Sequence, residues 1–433
     1  MRWLRTQAMP GWVPVVVGVT LVQAVLALMV RAQPLLGVPL TAAAGVSPDS
    51  VGQLASATSL GSMLFFLWGT PALAHVDSRR QLRWGCALAA VAIVLCASPS
   101  WALMLVAALL IGVGYGPSAP AGSDVLARAV PQRRRALGFS IKQAGVPLGG
   151  LAGGLLLPFV LARAGLEAAL LAAAAIALLA ALLLGPRRLA ADAAGAAGAA
   201  DAAGAAGAAG AAGAAGAAGA ATRPAAPPAV REPFDLLAPL STLRMLVATT
   251  GALGLSIAGF GLAYAQGIVL GYYPVYLVER LGLPIAAAGA HFALLQAMGI
   301  GGRIAMGWAS DAIGSPTRAL VPLGASSAAT LFVLAWLEPG GSAVLLGLVS
   351  ALAGLTVMSW NGVFLAALAN LAPAGKVGHV TAAGTVVVFL GYVAGPLAMQ
   401  LAVRTSGSYG VGLMLAAAVP AIAAAVLLLA RSR

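Results

Sequence analysis

Lys142 interrupts a run of small and apolar residues, Gly138-Phe-Ser-Ile-Lys142-Gln143-Ala-Gly145-Val-Pro147. It follows Arg135 by seven positions, which at helical rise carries an ammonium group about 10 Å beyond the preceding arginines. If the run spans a membrane, such a charge is costly to keep and is a functional candidate by default. Either the lysine stem returns its charge to the interface, or the ammonium meets an anion in a central cavity. Gln143 adds a hydrogen-bonding group beside it. Arg31, in Arg31-Ala-Gln-Pro34, closes an earlier apolar run, where it suits an interfacial anchor or an outer substrate gate. Gln266, Trp360 and Asn361 offer hydrogen bonds within later runs. Asp124 and Arg128 are four apart, the spacing of an ion pair on one helix face, and could also belong to an inner gate.

Carboxylates are scarce at depth. Asp124, Glu167 and Glu279 all fall at or near the ends of apolar runs. A central cation without a carboxylate favours a small anion over a cationic substrate. The polar residues form no nucleophile–base pair, metal-ligand cluster or phosphate loop, and the histidines are scattered. The expectation is a protein that is not an enzyme and has no cofactor and no metal. Cys86 and Cys96 lie in one apolar segment and read as small buried hydrophobes.

The elements that must position these groups follow from composition. Of the 433 residues 61% are hydrophobic and only 8% charged, too few charges to cover a water-facing surface. Apolar runs long enough to span a bilayer fall at 11–31, 52–74, 84–98, 101–127, 136–162 and 165–185. After a break come 245–277, 286–308, 318–337, 341–371, 379–402 and 409–430. The first run follows Met1-Arg-Trp-Leu-Arg5 and is long enough to be an uncleaved span rather than a signal peptide. Between the two sets, Ala190 to Ala221 is nearly pure Ala-Ala-Gly repeat. A glycine at every third position costs about 1 kcal/mol each against alanine in a helix, so 189–242 reads as a cytoplasmic, flexible linker. The expected division is therefore 1–188, linker 189–242, and 243–433.

The charges orient this map. With the N-terminus inside, all of the 24 lysines and arginines except Arg31, Lys142, Arg163, Arg280 and Arg404 fall on the inner side. Basic residues are retained on the cytoplasmic face during insertion. Both termini are thus expected in the cytoplasm. The formal charge of +13 is explained without nucleic acid.

Two loops carry a family resemblance. The one after the eighth run reads Gly302-Arg303 and then Gly307-Trp-Ala-Ser-Asp311-Ala-Ile-Gly314. It is similar to the Gly-x-x-x-Asp-x-x-Gly signature of the major facilitator superfamily. The loop after the second run, Pro71-Ala-Leu-Ala-His75-Val-Asp77-Ser-Arg79-Arg80, is a degenerate copy. There Pro71 replaces glycine, His75 replaces aspartate and Ser78 replaces the second glycine, and Asp77 is available as a substitute acid. The copies are 307 − 71 = 236 residues apart, and Gly122/Gly362 and Gly138/Gly378 are each 240 apart. Stretches around Pro147 and Pro396 look partly like the fifth-span Gly-Pro signature of antiporters in that superfamily, with helix packing as the structural alternative.

The resemblance implies an all-α membrane protein of twelve transmembrane helices, arranged as two pseudo-symmetric six-helix bundles around a mid-membrane site. It also implies a secondary transporter in a plasma membrane, a bacterial inner membrane, working by alternating access on a small-molecule substrate. The substrate-binding candidates are Arg31, Lys142, Gln143, Gln266, Trp360 and Asn361. The gating candidates are His75, Asp77, Arg79, Asp124, Arg128, Arg303, Gly307, Asp311, Gly314, Pro147 and Pro396. A coupling proton or counter-substrate and the lipid bilayer are the other partners. The alternatives are a proton-coupled exporter of drugs or amphipaths, and a non-transporting membrane sensor on the same fold.

Overall fold

The computed structural model describes residues 11–184, 238–373 and 376–429. The helices are α1 (Trp12–Leu35), α2 (Pro48–Ala72), α3 (Ser78–Leu95) and α4 (Trp101–Ala129). A long helix, Arg135–Leu183, turns at Gly165, where φ is +84°, and so divides into α5 (135–164) and α6 (166–183). The second half has α7 (Ala252–Glu279), α8 (Ile285–Ile313), α9 (Pro316–Ala335), α10 (Ala343–Leu371), α11 (Val377–Ser406) and α12 (Tyr409–Leu429). Twelve spans result, as the apolar runs predicted. A bilayer offers the backbone no partners, so each span satisfies its own amides.

The packing repeats with a step of six. Helix α1 packs on α5 as α7 packs on α11, and α2 on α4 as α8 on α10. Across the halves, α5 meets α8 and α11 meets α2. Gly154 and Gly289 make the first of these crossings, because a Cβ on Gly154 would stand 2.7 Å from the Gly289 carbonyl oxygen. Large apolar side chains such as Leu21, Leu155, Ile304, Leu348 and Leu401 face outward, where lipid rather than water solvates them.

Several boundaries differ from the expected ones. The first span does not stop at Arg31. Pro34 removes one amide, yet Leu36 N–H still donates to Ala32 and Leu40 N–H to Leu36, and a short helix Gly37–Ala43 prolongs the span. Arg31 therefore lies inside the bundle rather than at its outer edge. Likewise α8 runs on to Ile313, ten residues past Arg303, so that arginine is not a loop charge on the inner face. The expected linker lies outside the described residues up to 237, and Ala238–Ala248 is helical. Cys86 and Cys96 are buried free thiols.

Both α4 and α10 are interrupted. Residues 116–119 of α4 leave the α-helical pattern around Pro117, and residues 358–360 of α10 do so around Ser359. The offset of 240 places the two breaks at corresponding points of the halves. Each break frees carbonyl groups that need other donors.

Candidate functional site

A cavity of about 200 Å³ lies between the halves, lined by α1, α2, α4 and α5 on one side and α7, α8, α10 and α11 on the other. Two arginines enter it from opposite halves. Arg31 comes from α1, and its Nε is buried with no hydrogen-bond partner among the described residues. Arg303 comes from α8, and its Nε donates to the Met358 carbonyl at 3.1 Å, one of the groups freed by the α10 break. The two guanidinium groups are within electrostatic reach of each other and of the phenols of Tyr115 and Tyr392.

Beside Arg303 the second half presents a polar cluster. Tyr392 Oη donates to Gln266 Oε1 at 2.8 Å, and Asn361 Nδ2 donates to the same oxygen at 3.1 Å. Gln266 Nε2 points at Met358 Sδ, 3.3 Å away. The first half adds Gln23, Thr58, Ser59, Ser62 and Gln143, while Phe66, Phe389 and Val388 supply apolar wall. Among the described residues, no aspartate or glutamate lines the cavity. Two charge-assisted donor sets facing one space, without a carboxylate to neutralise them, are suited to an anion.

Of the expected substrate residues, the cavity brings together Arg31, Gln143, Gln266 and Asn361. Lys142 is elsewhere. It is 1% exposed, and its Nζ donates to the Ala119 carbonyl and to Ser123 Oγ, both at 2.9 Å. Ala119 lines the cavity, so the lysine stands one layer behind the wall and fills the α4 break from outside. Trp360 is also buried behind the lining, with its ring against Phe364 at 5.6 Å. Arg303, Tyr115 and Tyr392 also line the cavity; of these, the sequence places Arg303 in a gate and does not single out the two tyrosines. Trp308 gave a usable signal for Arg303, because an interfacial tryptophan marks the membrane edge and Arg303 precedes it by more than one helical turn.

The gating candidates divide in the same way. Arg128 pairs with Asp124 at 2.9 Å, and Ser78 also donates to that carboxylate. Asp77 caps α3 by accepting from the amides of Arg79 and Arg80, at 3.0 and 3.2 Å. His75 is exposed beside it. Gly314 ends α8 in the left-handed region with φ +68°, donating to the Asp311 carbonyl at 3.0 Å. Gly307 has open space around it, so it serves no close helix approach; Gly302, against Leu355, does. Pro147 and Pro396 both line the cavity.

A second polar contact joins the halves at one end of the bundle. Arg404 of α11 meets Asp49 and Ser50 at the start of α2, and Tyr272 Oη donates to the Asp49 carbonyl at 2.6 Å. The described hydrogen bonds between the halves all lie toward this end. At the other end, Pro120–Ala129 and Asn361–Leu371 share no extended contact with the opposite half among the described residues.

The family model described as Major Facilitator Superfamily matches residues 19–396. Two proteins from Mycobacterium tuberculosis strains, each named an uncharacterized MFS-type transporter, are 28% identical over 338 residues. The match covers 76% of this chain and 65% of theirs, so the chain spans less than two thirds of those relatives. A rice protein named probable anion transporter 3, chloroplastic, is 30% identical over 132 residues, 30% of this chain and 25% of that one. Among solved structures, a bacterial homolog to the human lysosomal transporter Spinster superposes with a TM-score of 0.72 at 15% identity, over 98% of both chains. The Escherichia coli fucose:proton symporter gives 0.58 at 15% identity, over 97% of this chain and 98% of that one. At such identities the structural likeness concerns the fold.

Proposed function

Because the chain belongs to the major facilitator superfamily, we propose that it is a secondary transporter moving a small organic anion by alternating access. The observation that carries this reading is the pair Arg31 and Arg303, reaching from opposite halves one cavity whose described lining residues include no carboxylate. An anion held between them joins the halves through charge-assisted bonds, and Gln266, Asn361, Tyr392 and Gln143 orient its remaining polar atoms. The volume of about 200 Å³ suits a compact cargo. The membrane is a plasma membrane, with both termini in the cytoplasm and the Asp49–Arg404 end outside. A proton-coupled exporter of cationic amphipaths would need a carboxylate at the cavity, and none lines it among the described residues.

The test is a thermal-shift screen of the purified protein against carboxylates, sulfonates and hydrophobic cations. A ligand at a hundred times its Kd adds about 2.7 kcal/mol to the folded state, a readable rise in melting temperature. Carboxylates or sulfonates should stabilise the wild type and lose that effect in Arg31→Gln and Arg303→Gln. Stabilisation by the cations alone would overturn the anion reading.

A further inference from the structure

The same two arginines constrain how the carrier resets. Alternating access requires an occluded stage in which water leaves the cavity. With an anion between Arg31 and Arg303, each guanidinium keeps a partner through that stage. Without one, the like charges are stripped of water together, and Arg31 has no acceptor for its buried Nε among the described residues.

Among the described residues, no carboxylate nearby compensates. The described carboxylates lie at the ends of the bundle. Asp49 is tied to Arg404, and Asp124 to Arg128 and Ser78. Behind the wall Lys142 adds a third basic side chain, whose partners, the Ala119 carbonyl and Ser123 Oγ, are neutral. Among the described residues, the core of the bundle therefore holds basic groups and no acidic ones.

We propose that the unloaded carrier does not cross the occluded stage at a useful rate, so the protein is an obligatory exchanger whose second substrate is another small anion. This rests on the anion reading for the identity of the cargo, while the barrier itself follows from the paired charges. One anion enters as another leaves, no proton or electron is transferred between groups, and the charge moved is the difference between the two anions.

The barrier is measurable without knowing the cargo. Dyes on Ala43→Cys and Ser342→Cys, exposed residues near the ends of the spans in opposite halves, report opening by single-molecule energy transfer. The native Cys86 and Cys96 are fully buried and escape labelling. With chloride as the only anion, the wild type should switch rarely. The Arg31→Gln/Arg303→Gln variant should switch at least about a hundredfold more often, whereas Arg31→Lys/Arg303→Lys, which keeps both charges, should stay slow. Acetate, malonate and methanesulfonate serve as probes, and at least one should speed the wild type and leave the neutral variant unchanged. A wild type that switches in chloride as often as the neutral variant would overturn the proposal. Acceleration by neutralisation with no response to any probe would leave the barrier standing and sink the cargo class instead.

Discussion

Arg404 reaches from the second half to Asp49 in the first, with Nε 2.7 Å from Oδ2. The arginine also donates through Nη2 to Ser50 Oγ at 3.0 Å, and Ser47 donates to the same aspartate. Asp49 is 6% exposed at its side chain but Arg404 is 52% exposed, so water screens much of the attraction. Such a pair contributes about 1 kcal/mol, enough to bias an equilibrium between two arrangements of the halves without locking it.

Arg404→Gln should accordingly lower the ratio of closed to open at this end by about fivefold, since about 1 kcal/mol corresponds to that factor in an equilibrium constant. The Ala43/Ser342 reporter measures it directly. An unchanged distribution would show that Tyr272 and the glycine crossings alone keep this end shut.

Arg31→Gln should reduce anion affinity by at least about tenfold. It removes a charged hydrogen-bonding group, a loss of about 1.5–3 kcal/mol, and leaves the helix intact. Titration by intrinsic fluorescence, together with gel filtration of the variant, separates lost binding from lost folding. Affinity within twofold of wild type would remove Arg31 from the site.

Lys142→Met is expected to act on stability rather than on affinity. The Ala119 carbonyl loses its ammonium donor, a cost of about 1–3 kcal/mol for a buried group left unmatched, while methionine keeps most of the volume packed against Gly122. The melting temperature should fall and anion affinity should hold. A tenfold loss of affinity at an unchanged melting temperature would return Lys142 to the ligand's immediate surroundings.

Gly112→Ala should destabilise the first half by about 1–3 kcal/mol through overpacking. A Cβ there would run into the Thr58 carbonyl of α2, and Ser62 Oγ donates to the Gly112 carbonyl at 3.1 Å across the same crossing. Thermal unfolding followed by gel filtration reads the change, and Gly18→Ala, with no neighbour within 4 Å of the new atom, is the control.

The number of spans was legible because lipid demands about twenty apolar residues per crossing, and that demand is written locally. Depth was less so. Gln33 and Pro34 after Arg31 resemble the end of a span, yet Gln33 is buried, accepting from Thr58 Oγ1 at 3.0 Å. A hydropathy reading counts such a residue as exposed to water because it cannot see the partner on α2. Lys142 and Gln143 pose a different difficulty. They are neighbours about 100° apart around one helix; Gln143 faces the cavity, while Lys142 meets a carbonyl at the break in α4. Arg404 and Asp49 stand 355 positions apart, and no local pattern links them.

The two helix breaks occupy corresponding places but are fastened differently. Each leaves a main-chain oxygen that a basic side chain takes up: Ala119 receives Lys142 from α5, and Met358 receives Arg303 from α8. The helices that supply the bases are not counterparts under the six-step repeat. The same joint thus recurs in both halves with a different fastening in each, one behind the cavity and one inside it. In the second half the fastening also lines the cavity, so whatever binds there would bear directly on that joint, while its counterpart in the first half stays behind the wall.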